Sequence, residues 1–364
     1  MLYLLLLINT VLANYVLIPK STLVVNSINN LQEELNLNQI VSLEEFPIYY
    51  TSQENLDKYK NILNHHFIIE EDSIYSINNV DFVLVDPNST PWHVSELSEN
   101  KPIRKCHQND KIEIVNYVID TGIDIYNTEL SGRAFIGKDF SGEGNEDSVG
   151  HGSFCASMIL GKTFSVCSDA QKVVAVKVLG EGGQGSMSNV LKGIEWVLKE
   201  HLITAKKSDK RVKSIVNMSL GGAKSRIIDN IIKHVLLNKD ITIIVAAGNE
   251  NQDLSNTSPA SSEGVIATMA STKENTRAFF SNYGGVFFAP GHKITGSIPG
   301  NKTAIMSGTS FSSPLFVSVL NHYIDIYPDL NRAQLQKLLK KRFRKNYIKE
   351  SRDTPNFFPV IPNN

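Results

Sequence analysis

Four residues whose types suit a single reaction are spread along this chain at what read as loop ends. They are Asp120 in Val118-Ile119-Asp120-Thr121-Gly122, His151 in Gly150-His151-Gly152-Ser153, Asn249 after Ala246-Ala247-Gly248, and Ser310 in Gly308-Thr309-Ser310-Phe311-Ser312-Ser313-Pro314. Acyl transfer by a serine hydroxyl needs a base to take its proton, a carboxylate to hold that base in one tautomer, and donors for the developing oxyanion. The set supplies one of each: Ser310 as nucleophile, His151 as base, Asp120 as the orienting acid and Asn249 as the oxyanion donor. Alone, each residue has an ordinary use, since a strand-end Asp caps turns, Gly-Asn makes turns, and Thr or Ser caps helices. Only the combination points to chemistry.

The elements that must position these residues are legible. Gly308 permits a tight turn, Thr309 or Ser310 supplies a helix cap, and the apolar run from Leu315 to Ile326 continues as a helix. Ser310 then sits in a first turn, where unpaired N–H groups and the helix dipole favour an oxyanion. Apolar strand-like runs at 112–119, 173–179, 215–220, 241–247 and 265–270 alternate with helical stretches at 151–160, 188–202, 227–237 and after Ser310. Such alternation predicts an α/β parallel sheet covered by helices on both faces. Ligands gather at the carboxyl ends of such strands, which is where the four residues fall.

Length and composition set the frame. A chain of 364 residues that is 41 % apolar can bury a sizeable core in two domains, and a net charge of −1 predicts no nucleic-acid partner. Leu2 to Leu12 is almost wholly apolar and is followed by Ala13, so residues 1–13 resemble a secretory signal peptide, too short for a bilayer span. No stable membrane insertion is expected. Residues 14–85 form a small α/β unit, with a strand at Tyr15–Pro19, Leu56, Tyr59, Ile62 and Leu63 on one helical face, and a strand at Phe67–Ile69. The stretch from Asp81 to Lys111 reads as a connector whose Trp92 packs onto the body, and 86–364 is the larger domain. Cys106, Cys155 and Cys167 cannot all pair within one chain, so at least one thiol is free or pairs outside it. Of the sequons at Asn88, Asn217, Asn256 and Asn301, Asn217 lies inside a strand pattern and reads as structural.

At the four residues the chain resembles the subtilisin-like serine proteases, closest to their secreted proteinase K-like branch. The stretches that carry the resemblance are 118–122, 150–152, Asn217-Met218-Ser219-Leu220-Gly221-Gly222, 246–251, Ser258-Pro259-Ala260-Ser261, Phe280-Ser281-Asn282-Tyr283-Gly284, Ala289-Pro290-Gly291 and Gly308-Thr309-Ser310, in the family's order. The resemblance implies a subtilisin-like three-layer fold and a secreted endopeptidase with Asp120, His151 and Ser310 as triad and Asn249 as oxyanion donor. It implies that Gly183, Gln184 and Gly185 on one side, Ser219, Leu220 and Gly221 on the other, and Ala247 and Gly248 bind a substrate peptide, the first two sets as an added β-strand. It also implies that 14–85 is an inhibitory propeptide removed by self-cleavage, the protein otherwise acting as a monomer on proteins or peptides. The chemistry requires no cofactor; structural calcium sites are common in the family, but the scattered Asp and Glu offer no ligand spacing.

The chain departs from the family's pattern beside the triad. Ser153-Phe154 stands where Thr-His is usual, Phe311-Ser312 where Met-Ala is usual, and Leu315 replaces a His. An α/β-hydrolase would need Gly-x-Ser-x-Gly and the order Ser, acid, His, whereas Ser312 occupies the second glycine's place and the order is Asp, His, Ser. No Gly-Lys-Ser or Gly-Lys-Thr follows Gly180–Gly185, which excludes a phosphate loop. The basic residues Lys337 to Lys345 interleave with Leu335, Leu338, Leu339 and Phe343, the pattern of a terminal helix's solvated face. The alternative function is an inactive relative that displays the groove as a peptide-binding module.

Overall fold

The computed structural model describes residues 14–21, 24–25, 32–43, 46–77, 82–85, 90–99, 109–130, 132–167, 172–352 and 355–361. The signal-like segment 1–13, Cys106 and the Asn88 sequon lie outside them. The chain divides into two compact units, Met1–Ser73 and Ile74–Asn364.

In the first unit a four-stranded antiparallel sheet has the spatial order Asn38–Leu43, Phe46–Ser52, Asn14–Pro19, Phe67–Glu71. Leu17, Leu35, Leu37, Tyr49, Leu63 and Phe67 form its core. The expected single helical face is two short helices, Gln53–Lys58 and Lys60–His66, that meet at Tyr59, and Ile62 is exposed.

The second unit is built on a nine-stranded sheet. Its eight-strand parallel part runs Phe357–Phe358, Phe287–Pro290, Ile266–Ser271, Ile241–Ala246, Arg211–Met218, Ile112–Asp120, Lys172–Lys177, Ala134–Asp139, and the short Arg344–Lys345 adds antiparallel to Phe357–Phe358 at one edge. The central strands are buried on both faces, as Ile241–Ala246 shows without exception, because helices cover the sheet. His151–Leu160 is buried at every position and packs on Thr309–Ile326, which is buried up to Asp325. Both helices thus lie in the core, and their first turns reach its rim. The amphipathic Arg226–Val235 instead buries only Ile227, Ile228, Ile231, Ile232 and Val235. In the terminal helix Arg332–Arg342, Leu335 and Leu339 are buried while Lys337, Lys340 and Lys341 remain outside the core. Trp92 packs against the core and donates its indole N–H to Lys293 O at 3.0 Å. Among the described residues no helix is long and apolar enough to cross a membrane.

Candidate active site

Asp120 ends an interior strand, third from one edge of the sheet, and is fully buried. Its Oδ1 accepts the N–H of Thr121 at 2.7 Å, and its carbonyl accepts the N–H groups of Val178 and Leu179. Backbone on both sides therefore holds the residue in place.

His151 is the first residue of its helix. The helix starts against the Asp120 turn, so closely that a Cβ on Gly152 would lie 2.1 Å from the Gly122 carbonyl oxygen. Glycine is thus obligatory after the histidine. Gly150 enters at φ 87°, and the first turn is capped by Asp147, a carboxylate the sequence did not single out. Asp147 Oδ1 accepts from Gly150 N–H at 2.8 Å and the Thr121 hydroxyl at 2.7 Å, while Oδ2 accepts from Ser153 N–H at 2.8 Å and the Ser153 hydroxyl at 2.6 Å. One buried carboxylate therefore ties the histidine's helix to the residue that follows Asp120.

The outcome is a close pair: His151 Nδ1 lies 2.8 Å from Asp120 Oδ1 and 3.0 Å from Oδ2. That contact places the Nδ1 proton toward the carboxylate and leaves Nε2 as the basic nitrogen. Nε2 is buried and makes no hydrogen bond in the structure. Burial works to lower the imidazole's basicity, but the Asp120 carboxylate and the Cys155 sulfur together more than offset it, so the His151 pKa lies well above its ordinary 6.5. The Cys155 sulfur sits 3.9 Å from Nδ1 and 3.5 Å from the Ser310 carbonyl oxygen. Burial pushes that thiol up, so it stays protonated at neutral pH.

Ser310 is the second residue of its helix and is 4 % exposed. The cap expected from Thr309 or Ser310 comes from elsewhere, because Asn249 Oδ1 accepts both the N–H and the hydroxyl of Thr309, each at 2.8 Å. The Thr309 hydroxyl oxygen in turn accepts from Gly248 N–H at 3.1 Å. This fixes the Asn249 amide by its oxygen and leaves its NH2 beside the first turn, where the helix's own N–H groups lack intrahelical partners. The Ser310 hydroxyl is not spent on capping and donates to Ser219 O at 3.2 Å. Ser219 is held by Asn217 and Ser313, and its own hydroxyl donates to Ser310 O at 2.6 Å. Asn217 is fully buried and bonded through both ends of its amide, consistent with a structural rather than glycosylated residue.

The departures beside Asp120, His151 and Ser310 meet one another. The Phe154 and Phe311 rings have centroids 4.7 Å apart, and Phe311 also lies 5.5 Å from the His151 ring. Ser153 caps through Asp147 as described, and Ser312 donates to the carbonyls of Ala289 and Pro290.

Both expected substrate edges hold an extended segment of the same compact unit. Ile74–Ser76 pairs antiparallel with Gln184–Ser186, and Ser76 exchanges two hydrogen bonds of 3.1 Å with Gly221. The N–H of Ile77 donates to Gly183 O at 3.1 Å. A cavity of about 390 Å³ runs along this edge, lined among others by Leu220, Gly221, Gly248, Asn249 and Ser310. Ala246 lines it, whereas Ala247 is buried, with its backbone bonded to Thr268 and Asn282. Among the described residues, Asp120, His151 and Cys155 form the one group of three such side chains close enough to share an ion, and a thiol and an imidazole are not calcium ligands. Cys167 is disulfide-bonded and Cys155 is a free thiol.

Residues 113–356 match the Subtilase family. The chain belongs to the subtilase family. Its similarity to subtilisin-like serine protease Rho m 2.0101 of Rhodotorula mucilaginosa is 39 % identity over 272 residues, 71 % of this chain and 78 % of that protein. Subtilisin-like serine protease Pen ch 18 of Penicillium rubens is 38 % identical over 73 % of this chain and 55 % of its own length. Cerevisin of Saccharomyces cerevisiae is 35 % identical over 90 % of this chain and 54 % of its own length, so the chain spans little more than half of these two relatives. The crystal structure of a cold adapted subtilisin-like serine proteinase aligns with a TM-score of 0.66 at 30 % identity, over 75 % of this chain and 98 % of that one. The subtilase reading made from the motifs and the three-layer fold both stand, and the enzyme class is serine-type endopeptidase, a hydrolase of protein or peptide substrates.

Proposed function

We propose that this subtilase is a secreted endopeptidase that works through Asp120, His151 and Ser310 and is made as a self-processed zymogen. The observation that carries the reading is the state of His151: Nδ1 is engaged by a buried carboxylate and Nε2 is buried without a partner. A buried nitrogen left unpaired costs free energy in a structural role, and is what a general base requires. Rotation of the Ser310 side chain from Ser219 O toward Nε2 lets the hydroxyl give up its proton as the oxygen adds to a peptide carbonyl. The Asn249 NH2 and the first-turn N–H groups stabilise the oxyanion, and His151 returns the proton to the leaving nitrogen. A water then hydrolyses the acyl ester by the same route.

Residues 14–73 form an independent compact unit directly upstream of the segment held at Gln184–Ser186 and Gly221, which supports their reading as an inhibitory propeptide. The cerevisin match covers a larger share of the chain than residues 74–364 alone provide, so the similarity extends into that unit. Secretion rests on residues 1–13. The test is a fluorophosphonate probe with a casein digestion assay. Labelling confined to Ser310 and lost in Ser310→Ala, together with casein cleavage, is the expected result; an unlabelled, inactive wild type overturns the reading.

A further inference from the structure

A second cavity, of about 400 Å³, shares no residue with the Ser310 site and is lined by the strands at the Ala134–Asp139 edge of the sheet and by the helix Met187–Lys207. The helix contributes one stripe, Trp196, Glu200 and Thr204, at four-residue spacing. The sheet contributes Tyr117 from an interior strand and, from the edge strand, Phe135 and Ile136, each 48 % exposed. Helix and strand come this close because of Gly137, where the edge strand shifts register against Lys172–Lys177. A Cβ there would lie 2.8 Å from Trp196 Cη2 and 2.6 Å from Ala175 O, so the indole sits directly against the strand.

The lining selects a cation. The Tyr117 and Trp196 rings meet at 6.1 Å and 81°, so two aromatic surfaces converge at one corner of the cavity, and Phe135 supplies a third. The Tyr117 hydroxyl is bonded to Ser214, which leaves the phenol to act as ring surface. Burial and then the Glu200 carboxylate push the Tyr117 pKa up, so the negative charge acts on that ring. Lys172, the cation of the lining, is held by Glu113 at 2.6 Å, and Lys199 is held by Glu195 at 2.7 Å. Among the described residues Glu200 is left with no hydrogen-bond or ion-pair partner. Ring faces and a carboxylate both attract positive charge. The aliphatic Val115, Ile136 and Val174 in the same lining would leave the N–H groups of a primary ammonium unbonded. A lone carboxylate also falls short of the roughly six oxygens that calcium or magnesium takes. A cation whose charge is spread over methyl groups meets both demands.

We propose that this cavity binds a methylated ammonium group, held by the rings of Tyr117, Trp196 and Phe135 with Glu200 as its counter-charge. The methyl groups lie against aromatic and aliphatic carbon, and the charge is matched by one carboxylate at the helix wall. Binding there is separate from peptide-bond hydrolysis, so its failure leaves the peptidase reading intact.

The test is to titrate the full-length Ser310→Ala protein with choline, following saturation transfer to its trimethyl protons and tryptophan emission. Trp92 and Trp196 are the chain's two tryptophans, so a Trp92→Phe background makes the emission report on Trp196 alone. Choline should bind saturably, and both its neutral carbon analogue 3,3-dimethylbutan-1-ol and the primary cation n-butylammonium should bind on the order of tenfold more weakly. Glu200→Gln changes a partly exposed residue that has no bond to lose, and should weaken choline by a similar factor. Trp196→Leu should weaken it further; if that variant fails to fold, Glu200→Gln and the neutral analogue still decide. Choline that binds no better than its neutral analogue, affinity unchanged in Glu200→Gln, tighter binding of n-butylammonium, or no saturable signal would each overturn the inference.

Discussion

The Ser310 hydroxyl donates to the carbonyl oxygen of Ser219 at 3.2 Å, while His151 Nε2, the nitrogen it reaches in the proposed reaction, is buried and unpartnered. Ser219 thus serves Ser310 twice, as acceptor of its hydroxyl and as donor to its carbonyl, and also lies on the edge that holds an extended chain. A substrate strand pairing along that edge would bring its carbonyl to the place where the hydroxyl waits. The serine and the rail are one bonded unit.

Asn249 should be a donor whose removal is felt only in the transition state. Its Oδ1 is fixed by Thr309, so Asn249→Ala removes the NH2 donor and also uncaps the Ser310 helix. The expected loss is about 10²–10³ in kcat with KM little changed, a magnitude carried over from the oxyanion asparagine of a subtilisin rather than derived from this geometry. Steady-state kinetics on a short peptide decide it, and a loss confined to KM would remove Asn249 from the role.

The pH dependence follows from His151. The Asp120 carboxylate raises its pKa well above 6.5, and the rate needs the neutral imidazole, so kcat/KM should climb only as pH passes that elevated value. Asp120→Asn removes the larger of the two raising neighbours, so the limb should move to lower pH while kcat falls by about 10⁴, the cost of the wrong tautomer. Stability has its own sign: a folded pKa above the unfolded one contributes stability that is complete below about 6.5 and is lost as pH rises through the folded value. Denaturation of Ser310→Ala across this range should show the loss, and a pH-rate limb unmoved in Asp120→Asn would refute the coupling.

Much of this site was legible because triad chemistry uses element ends. Asp120 closes an apolar run, His151 and Ser310 each open one, and the helix His151–Leu160 is found at the boundaries its pattern predicts. What was not legible depends on contacts between distant residues or on weak local signals. Asp147 reads in sequence as one more acid in a loop, and only the fold brings the Thr121 hydroxyl to it. The strand Ala134–Asp139 is half exposed at the sheet edge and has only the three-residue apolar run Ala134–Ile136, and the antiparallel pair Ile294–Ile298 and Lys302–Met306 is too short and glycine-broken to show a period. Local sequence predicts a cap on the Ser310 helix from its own Thr309 or Ser310, whereas Asn249 supplies it from another strand's end.

Asp147 should be a large contributor to stability despite lying outside the triad. Asp147→Ala leaves the Gly150 and Ser153 N–H groups and two hydroxyls buried without their acceptor. Each buried unsatisfied donor costs about 1–3 kcal/mol, so a loss of at least ~3 kcal/mol is expected even after relaxation. Asp147→Asn keeps one acceptor oxygen and should lose less. Urea denaturation in the Ser310→Ala background, which prevents self-digestion, measures both, and a change below about 1 kcal/mol for Asp147→Ala would show that the cap is dispensable.

The two aromatic departures beside the triad should behave as one substitution. Phe154 and Phe311 are distant in sequence, yet their rings pack at 4.7 Å and 58°, and Phe311 extends the stack to the His151 imidazole. Both are fully buried, so either Phe→Ala change should cost about 3–5 kcal/mol by loss of transfer free energy and creation of a cavity. Residues in contact are not additive, and an aromatic pair contributes about 0.5–1.5 kcal/mol beyond the area it buries. A double-mutant cycle in the Ser310→Ala background should therefore return a coupling of that size, since the second truncation enlarges a cavity that already exists. In the active enzyme, Phe311→Ala should also lower kcat more than Phe154→Ala, because only Phe311 touches the imidazole that must hold its orientation for proton transfer. A coupling of zero, together with equal losses of kcat, would mean that the rings fill space independently and that the His151 ring is held by Asp120 alone.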